Sequence, residues 1–305
     1  MADVKPDSDR VPLDAETRAN ISELAQMLVD GQNVVFITGA GLSVASGITP
    51  YRYRQDAIWS NFVTEWGTRK RFKEDPFAWW NEFWLRTHEK PEFLNAKPNA
   101  GHHMIARILQ CTNTKLVTQN IDRLHSQTSV PVQKLVEVHG RLGKYKCITP
   151  NCEFSTKSSL DIPDLDAFSC DGSTMASGNL RVHVPLCPSC HAPIMPQSLF
   201  FDEKYTSHAF FNWPRVVKWL THADIFVFIG TSFSVGVTQE AVAMGRRTGK
   251  RMFNFNLYAD PEYSDLLHVV APSSDSLALL CEKIISLQTD DRNVLEKPRL
   301  WYRMG

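Results

Sequence analysis

The chain has 305 residues, 43% hydrophobic and 22% charged, an ordinary balance for a globular protein with a sizeable core. Its 33 Lys and Arg residues are matched by 33 Asp and Glu, so net charge provides nothing to attract nucleic acid or a membrane surface. No apolar run approaches the roughly 18 residues of a membrane span. Met1–Val11 lacks both the apolar core of a secretory signal and the Arg-rich, acid-poor character of a transit peptide. The expected compartment is the cytosol or, in a nucleated cell, the nucleus.

Residues 1–13 read as a loose tail. Asp14 is placed to cap a helix in which Ile21, Leu24, Ala25 and Leu28 share one face, with Gly31 as its stop. Val34–Thr38 then reads as a buried strand running into Gly39-Ala40-Gly41-Leu42-Ser43. Glycines let a phosphate approach the backbone closely, and the dipole of a following helix favours negative charge. A nucleotide-binding crevice is expected at the end of this first strand. The turn is not a dinucleotide G-x-G-x-x-G, because the third glycine position is Val44.

Residues 53–97 change character, rich in Trp and Phe and without strand-like runs. Asp75-Pro76 is a helix start, after which Phe77, Trp80 and Trp84 fall on one predicted face. The core of a small helical insertion is the favoured reading, over an aromatic wall above a cleft. Pro98-Asn99 opens another helix, with His102 and His103 in its first turn, where histidines more often bond the structure than catalyse.

Lys115–Thr118 reads as a second strand, ending in the polar cluster Gln119-Asn120-Ile121-Asp122. Ligands of doubly wound sheets bind at such strand ends. A cluster of this kind is also what an Asn/Asp turn or helix cap needs. Leu135–Val138 is a third strand, ending in His139-Gly140. An imidazole there suits general-base work near neutral pH.

Seven cysteines, an odd number, argue against a disulfide framework. Cys147-x4-Cys152 and Cys187-x2-Cys190 form two knuckles across a polar, loop-rich segment, Ser155–Pro185. Four thiolates make a closed tetrahedral site, the chemistry of structural zinc. His183 and His191 would serve only if one of these cysteines were free. Cys111 and Cys281 are expected as buried small hydrophobes, and Cys170 is left over.

Further on, residues 195–205 are apolar and extended, and Trp213–Leu220 is an amphipathic helix. Ile225–Ile229 is an apolar strand running into Gly230-Thr231-Ser232, a second turn able to hold a phosphate or ribose. Residues 238–248 read as helix, Lys250–Asn256 as strand, and Leu277, Leu280, Ile284 and Ile285 as one face of a last helix. Residues 289–305 read as a charged tail. The alternation of helix and short buried strand gives an α/β protein, a doubly wound parallel sheet with one aromatic helical insertion and one metal-bound insertion.

Taken in order, Gly39-Ala40-Gly41-x-Ser43, Ser46-Gly47-Ile48, Arg52, Thr118-Gln119-Asn120-Ile121-Asp122-x-Leu124-His125, Val138-His139-Gly140, the two cysteine pairs, Phe201-x-Glu203, Gly230-Thr231-Ser232 and Asn256-Leu257 resemble the sirtuins, the Sir2 family of NAD-dependent protein deacylases. The resemblance spans about residues 30–290. It implies a Rossmann-like NAD-binding domain (14–52, 98–143 and 196–288) and a small domain made of the helical insertion (53–97) and the zinc module (144–195), with tails at 1–13 and 289–305.

By that resemblance, Gly39, Ala40, Gly41, Ser43, Tyr51, Arg52, Gln119, Asn120, Asp122, Gly230, Thr231, Ser232 and Asn256 line the NAD site. His139 is the implied general base, with Asn120 beside it in the catalytic centre, and Cys147, Cys152, Cys187 and Cys190 hold Zn2+. The implied partner is an acyl-lysine protein or peptide, pairing as an extra strand near Leu199–Glu203 and Ser234–Val237. No direct nucleic-acid or membrane partner is expected.

Two motifs depart from the family pattern. Gly47-Ile48-Thr49-Pro50-Tyr51-Arg52 stands where Gly-Ile-Pro-Asp-Phe-Arg is usual, and Phe201-Asp202-Glu203 where Phe-Gly-Glu is usual. Pro50 supplies neither the usual carboxylate nor an N–H. Leu85 and His88 occupy the positions of the desuccinylases' tyrosine and arginine, so nothing supports a preference for acidic acyl groups. The leading expectation is protein-lysine deacylation. ADP-ribosyl transfer or NAD hydrolysis is the alternative, and an NAD- or ADP-ribose-binding module without turnover is a third.

Overall fold

The computed structural model describes residues 13–48, 57–88, 90–162, 164–177 and 179–295. The helices carrying the argument are α1 (Ala15–Val29), α2 (Ala57–Trp66), α3 (Arg69–Glu74), α4 (Ala100–Cys111), α5 (Trp213–His222), α6 (Gly236–Thr248) and α7 (Ser273–Leu295). The strands are β1 (Val34–Thr38), β2 (Lys115–Thr118), β3 (Leu135–Glu137), β4 (Gly140–Cys147), β5 (Ile194–Ser198), β6 (Ile225–Ile229), β7 (Arg251–Asn256) and β8 (Leu267–Val270).

Six strands form one parallel sheet in the order β3-β2-β1-β6-β7-β8. The chain winds outward from β1 in one direction and from β6 in the other. The crevice between those two strands is where a doubly wound sheet opens to ligand. Alternate residues of each strand enter opposite layers. Val34 and Phe36 pack with residues of α1, α4 and α7, whereas Val35 and Ile37 pack with residues of α5 and α6. Asp14 caps α1 by accepting the Thr17 N–H at 2.6 Å. The β8 strand, outside the sequence-level expectations, extends the sheet beyond β7.

A second core lies apart from the sheet. Phe72, Trp79, Trp80, Phe83 and Trp84 from the aromatic segment pack with Leu142, Tyr145, Cys147, Cys187, Ile194 and Met195 from the cysteine-bearing segment. Polar bonds join the same two segments. The Trp80 indole donates to the Ile194 carbonyl at 3.0 Å, and the Asn81 amide both donates to and accepts from the Val182 backbone. Gly140–Cys147, not expected as a strand, pairs antiparallel with β5 and carries the first cysteine into this core.

Three expectations change. Phe77 does not share the buried face of Trp80 and Trp84, being 39% exposed. The segment takes π geometry over Trp79–Trp84, and its buried face is made by Trp79, Trp80, Phe83 and Trp84. Cys111 is exposed, because it is the last residue of α4 and lies at the rim of the core; Cys281 is buried as expected. The tail expected from residue 289 is still helical, with α7 running to Leu295.

Trp79 is fully buried and stacks on Trp84 with centroids 5.7 Å apart. Replacing Trp79 by Ala should cost about 3–5 kcal/mol in denaturant unfolding, whereas Phe77→Ala at the exposed position should cost under about 1 kcal/mol.

Candidate active site

The crevice begins with two turns in contact. The Gly41 N–H donates to the Gly230 carbonyl at 2.8 Å, and the Gly39 N–H donates to the Ile229 carbonyl at 3.0 Å. A Cβ on Gly39 or Gly41 would lie 2.8 or 2.7 Å from the Gly230 oxygen. Gly230 itself has φ +58, and a Cβ there would lie 2.5 Å from the Leu42 nitrogen. Glycine at all three positions is a packing requirement. The segment Ala40–Ser46 continues as a 3-10 helix with Ala40 and Gly41 exposed at the mouth of the crevice.

Side chains from two further strand ends converge on these turns. Asn120, following β2, donates to the Gly39 carbonyl at 3.0 Å and to Ser43 Oγ at 3.1 Å. Ser43 Oγ donates to Asp122 Oδ2 at 2.6 Å, and the other Asp122 oxygen accepts the Leu124 N–H at 2.9 Å. Burial pushes the Asp122 pKa up against these two bonds. Gln119 Nε2 lies 3.4 Å from Thr231 Oγ1, and Asn256, ending β7, donates to the Thr231 carbonyl at 3.1 Å. Ser232 is exposed, its hydroxyl 2.7 Å from that of Ser234.

His139 follows β3 and turns its ring toward the Gln119 backbone and the Tyr205 hydroxyl. Burial lowers its pKa to about 4, opposed by the Gln119 backbone, so the ring is neutral at physiological pH. A neutral imidazole at a polar crevice is chemically a base. Gly140 turns the chain away from it with φ +97, and a Cβ there would collide with the Gln197 carbonyl.

The fold thus gathers Gly39, Ala40, Gly41, Ser43, Gln119, Asn120, Asp122, Gly230, Thr231, Ser232 and Asn256 around one crevice, with His139 at its edge. Tyr51 and Arg52 lie outside the described residues, as do Thr49 and Pro50. His102 and His125 prove structural. His102 closes the capping box of α4 with Asn99, and His125 Nε2 bonds Thr38 Oγ1 at 3.1 Å beneath the crevice.

Sequence reasoning missed a buried ion pair beside the crevice. Lys146 on β4 reaches the Ser198 carbonyl at 2.7 Å and Glu203 Oε2 at 2.5 Å, and both side chains are 2% exposed. Arg69 meets the other Glu203 oxygen at 3.4 Å. Burial lowers the Lys146 pKa to about 8, opposed chiefly by Glu203. The unusual Asp202 also finds a place, accepting the N–H groups of Arg69 and Lys70 at 2.8 and 3.0 Å. It therefore binds the N-terminus of α3, where an anion is favoured.

Cys147, Cys152, Cys187 and Cys190 come together with their sulfurs all within 4.8 Å of one another. Cys147–Cys190 and Cys152–Cys187 are 3.5 and 3.7 Å apart. A tetrahedron with metal–sulfur bonds near 2.3 Å has edges of about 3.8 Å, so the donor set fits a closed four-sulfur site.

Residues 39–237 match the Sir2 family. The chain belongs to the Sir2 family. It is similar to NAD-dependent deacetylase sir2E of Dictyostelium discoideum, 48% identical over 279 residues, which cover 92% of this chain and 81% of that protein. It is also similar, at 25% identity, to NAD-dependent protein deacylase 2 of Archaeoglobus fulgidus, over 88% of this chain and 98% of the relative. Among solved structures, a Sir2 homologue bound to NAD superposes with a TM-score of 0.67 at 21% identity, covering 87% of this chain and 94% of that one. A Sir2 enzyme studied for mechanism and regulation gives 0.67 at 23% identity, covering 88% and 99%. These likenesses show the sirtuin fold.

Burial lowers the pKa of His88 and of His102 to about 3, with smaller contributions from Lys90 and His103 respectively, and that of His139 to about 4. In the unfolded chain each would titrate near 6.5. The folded state therefore binds fewer protons below that value, and stability should fall as pH drops from about 6.5 towards 3. Denaturant midpoints measured across that window should decline steadily, and a flat profile would contradict the buried neutral rings.

Proposed function

We propose that this sirtuin is an NAD-dependent protein-lysine deacylase in which His139 is the general base. The observation that carries the reading is the convergence of Asn120, Gln119, Asp122, Ser43 and His139 on one glycine-lined crevice. The deacetylase and deacylase names of its relatives support the same activity over ADP-ribosyl transfer.

NAD is a substrate in this reading. The exposed backbone at Ala40 and Gly41 suits its phosphates, and Gln119, Asn120 and Ser232 offer groups for ribose and amide. Tyr51 and Arg52 complete the proposed site. The acyl oxygen of an acyl-lysine displaces nicotinamide from the ribose carbon, leaving an imidate. His139 then takes a proton from a ribose hydroxyl, whose oxygen attacks the imidate carbon, and water completes release of lysine and O-acyl-ADP-ribose. A crevice closed to bulk water protects the cationic intermediate from hydrolysis.

The substrate is an acyl-lysine protein segment. A solved Sir2 relative carries a p53 peptide together with NAD, at a TM-score of 0.65 and 23% identity. In this chain the Leu199 N–H is already bonded to the His139 carbonyl and the Phe201 N–H to the Gly67 carbonyl. A peptide lying along Leu199–Glu203 would therefore use the backbone groups left over, and Ser234–Val237 on its other side.

The four cysteines would hold Zn2+ as a structural ion. They leave no open coordination position, so the metal supplies folding energy and no step of the reaction.

Two outcomes follow. Incubation with NAD and acyl-lysine peptides should yield O-acyl-ADP-ribose by mass spectrometry, and His139→Ala should reduce its formation by about a hundredfold or more. Free ADP-ribose made without an acyl acceptor would instead favour NAD hydrolysis. Stripping the metal with a chelator should abolish cooperative melting of the cysteine-bearing segment, with zinc restoring it; unchanged melting of metal-free protein would overturn the zinc assignment.

A further inference from the structure

His139 has a partner that the reaction above does not use. Its Nε2 lies 3.2 Å from the hydroxyl of Tyr205, in the loop after β5, and the two rings are within 17° of parallel. Tyr205 is held on several sides. Its hydroxyl accepts the N–H of Val237, in the first turn of α6, at 3.0 Å. Its ring stacks on Trp213 with centroids 4.3 Å apart and planes 12° from parallel. Gly236 closes the remaining side, since a Cβ there would meet the phenol ring at 3.3 Å. The phenol cannot swing aside without losing both a hydrogen bond and a stacking partner.

A hydroxyl differs from a carboxylate or an ammonium as a partner for imidazole, because it both donates and accepts. The Val237 N–H takes one lone pair of Tyr205. The O–H and a second lone pair remain. A neutral ring can accept the O–H at Nε2, and a protonated ring can donate Nε2–H to the free lone pair. The charged ring then has an acceptor at Nε2 and the Gln119 backbone facing it as well. Burial raises the Tyr205 pKa, so the phenol keeps its proton at neutral pH.

Other charges do not explain the ring's behaviour. Glu137 and Arg141, flanking His139 along the chain, neutralise each other at 2.5 Å. Gln119, Val237 and Trp213, from the other elements around the pair, carry no charge. Lys204, adjacent to Tyr205, is exposed. Among the described residues, no charged side chain figures among the causes of the ring's lowered pKa, of which burial is the largest.

We propose that Tyr205 is a positioning residue for His139, fixing the plane of the imidazole in the crevice and accepting its Nε2–H when the ring becomes charged. The inference rests on His139 being the base of the deacylation. It requires no bond changes beyond the proton that His139 takes from the ribose hydroxyl. Nicotinamide leaves before that proton moves, so Tyr205 should influence acyl transfer and spare nicotinamide release.

The test compares full-length, zinc-loaded wild type with Tyr205→Phe, which keeps the stacking on Trp213 and removes only the hydroxyl. Val237→Pro is the second variant. It removes the N–H that anchors the hydroxyl, at a first-turn position where proline is tolerated. Three quantities are read: the His139 titration midpoint by NMR, assigned with His139→Ala; nicotinamide exchange; and O-acyl-ADP-ribose formation across pH. Loss of a hydrogen bond to a charged ring should lower the midpoint by about one unit in Tyr205→Phe, and by less in Val237→Pro. A ring that is harder to protonate is a weaker base. In Tyr205→Phe the acid limb of the pH–rate profile should therefore move to lower pH, and acyl transfer should slow about tenfold while exchange stays within about twofold; Val237→Pro, at a peptide-facing position, is read by the NMR midpoint alone. An unchanged midpoint in both variants, or exchange and acyl transfer falling equally in Tyr205→Phe at unchanged melting temperature, would overturn the proposal. A wild type that makes no O-acyl-ADP-ribose would instead sink the deacylase reading, and the NMR comparison would still decide whether Tyr205 holds the ring.

Discussion

The crevice depends on how closely two strand-ending turns approach. The Gly230 carbonyl, held by the turn after β6, accepts the Gly41 N–H of the turn after β1. Gly230 is in turn tied by its own N–H to the Phe255 carbonyl of β7 at 2.9 Å. Three neighbouring strands are thus pinned at their C-terminal ends at the point where the winding of the sheet reverses. A methyl group on Gly39, Gly41 or Gly230 would sit less than 3 Å from backbone atoms of the opposing turn. The turns would have to part, and Asn120 and Ser43, whose bonds run to the first turn, would separate from Thr231 and Asn256 on the second.

A different constraint joins the smaller core to this crevice. Lys146 and Glu203 are both withdrawn from water, which is costly unless each finds a partner and further hydrogen bonds. Here the ammonium has the Ser198 carbonyl and Glu203, and the carboxylate also accepts the Phe200 N–H at 3.1 Å. Lys146 additionally lies 5.2 Å from the ring centres of Phe200 and Phe211. The pair fixes β4 against the loop that follows β5. That loop delivers Tyr205 to His139 and Asp202 to the start of α3. Asp202, which departs from the usual glycine of the peptide-facing motif, binds the first N–H groups of α3 and so joins two segments of the small core.

Legibility in the sequence followed interaction range. Strands β1, β2, β6 and β7 were readable because each is a short, wholly or largely buried apolar run ended by Gly, Asn or Gln. Strands β4 and β8 were not. Gly140–Cys147 alternates with Arg141, Lys144 and Lys146, and the burial of Lys146 depends on a carboxylate 57 positions away. The helix cap at Asp14 and the box at Asn99–His102 were visible because capping is local. The exposure of Phe77 was not, because which face of the segment is covered depends on the cysteine-bearing residues far along the chain that pack on Trp79, Trp80, Phe83 and Trp84.

The sequence by itself determined the composition of the site: a glycine turn for close backbone approach, amides and a carboxylate after β2, a histidine after β3, and four cysteines in two knuckles. Those are choices of chemical type at fixed spacings, and they survive whatever the packing does. Only the tertiary structure decided which groups face which. It set Tyr205 against His139, Asp202 against the start of α3, and Lys146 against Glu203, because each of these contacts joins segments far apart in sequence. Burial then settled their protonation, since the cost of a charge depends on the solvent and partners around it and is written in no local stretch of the chain.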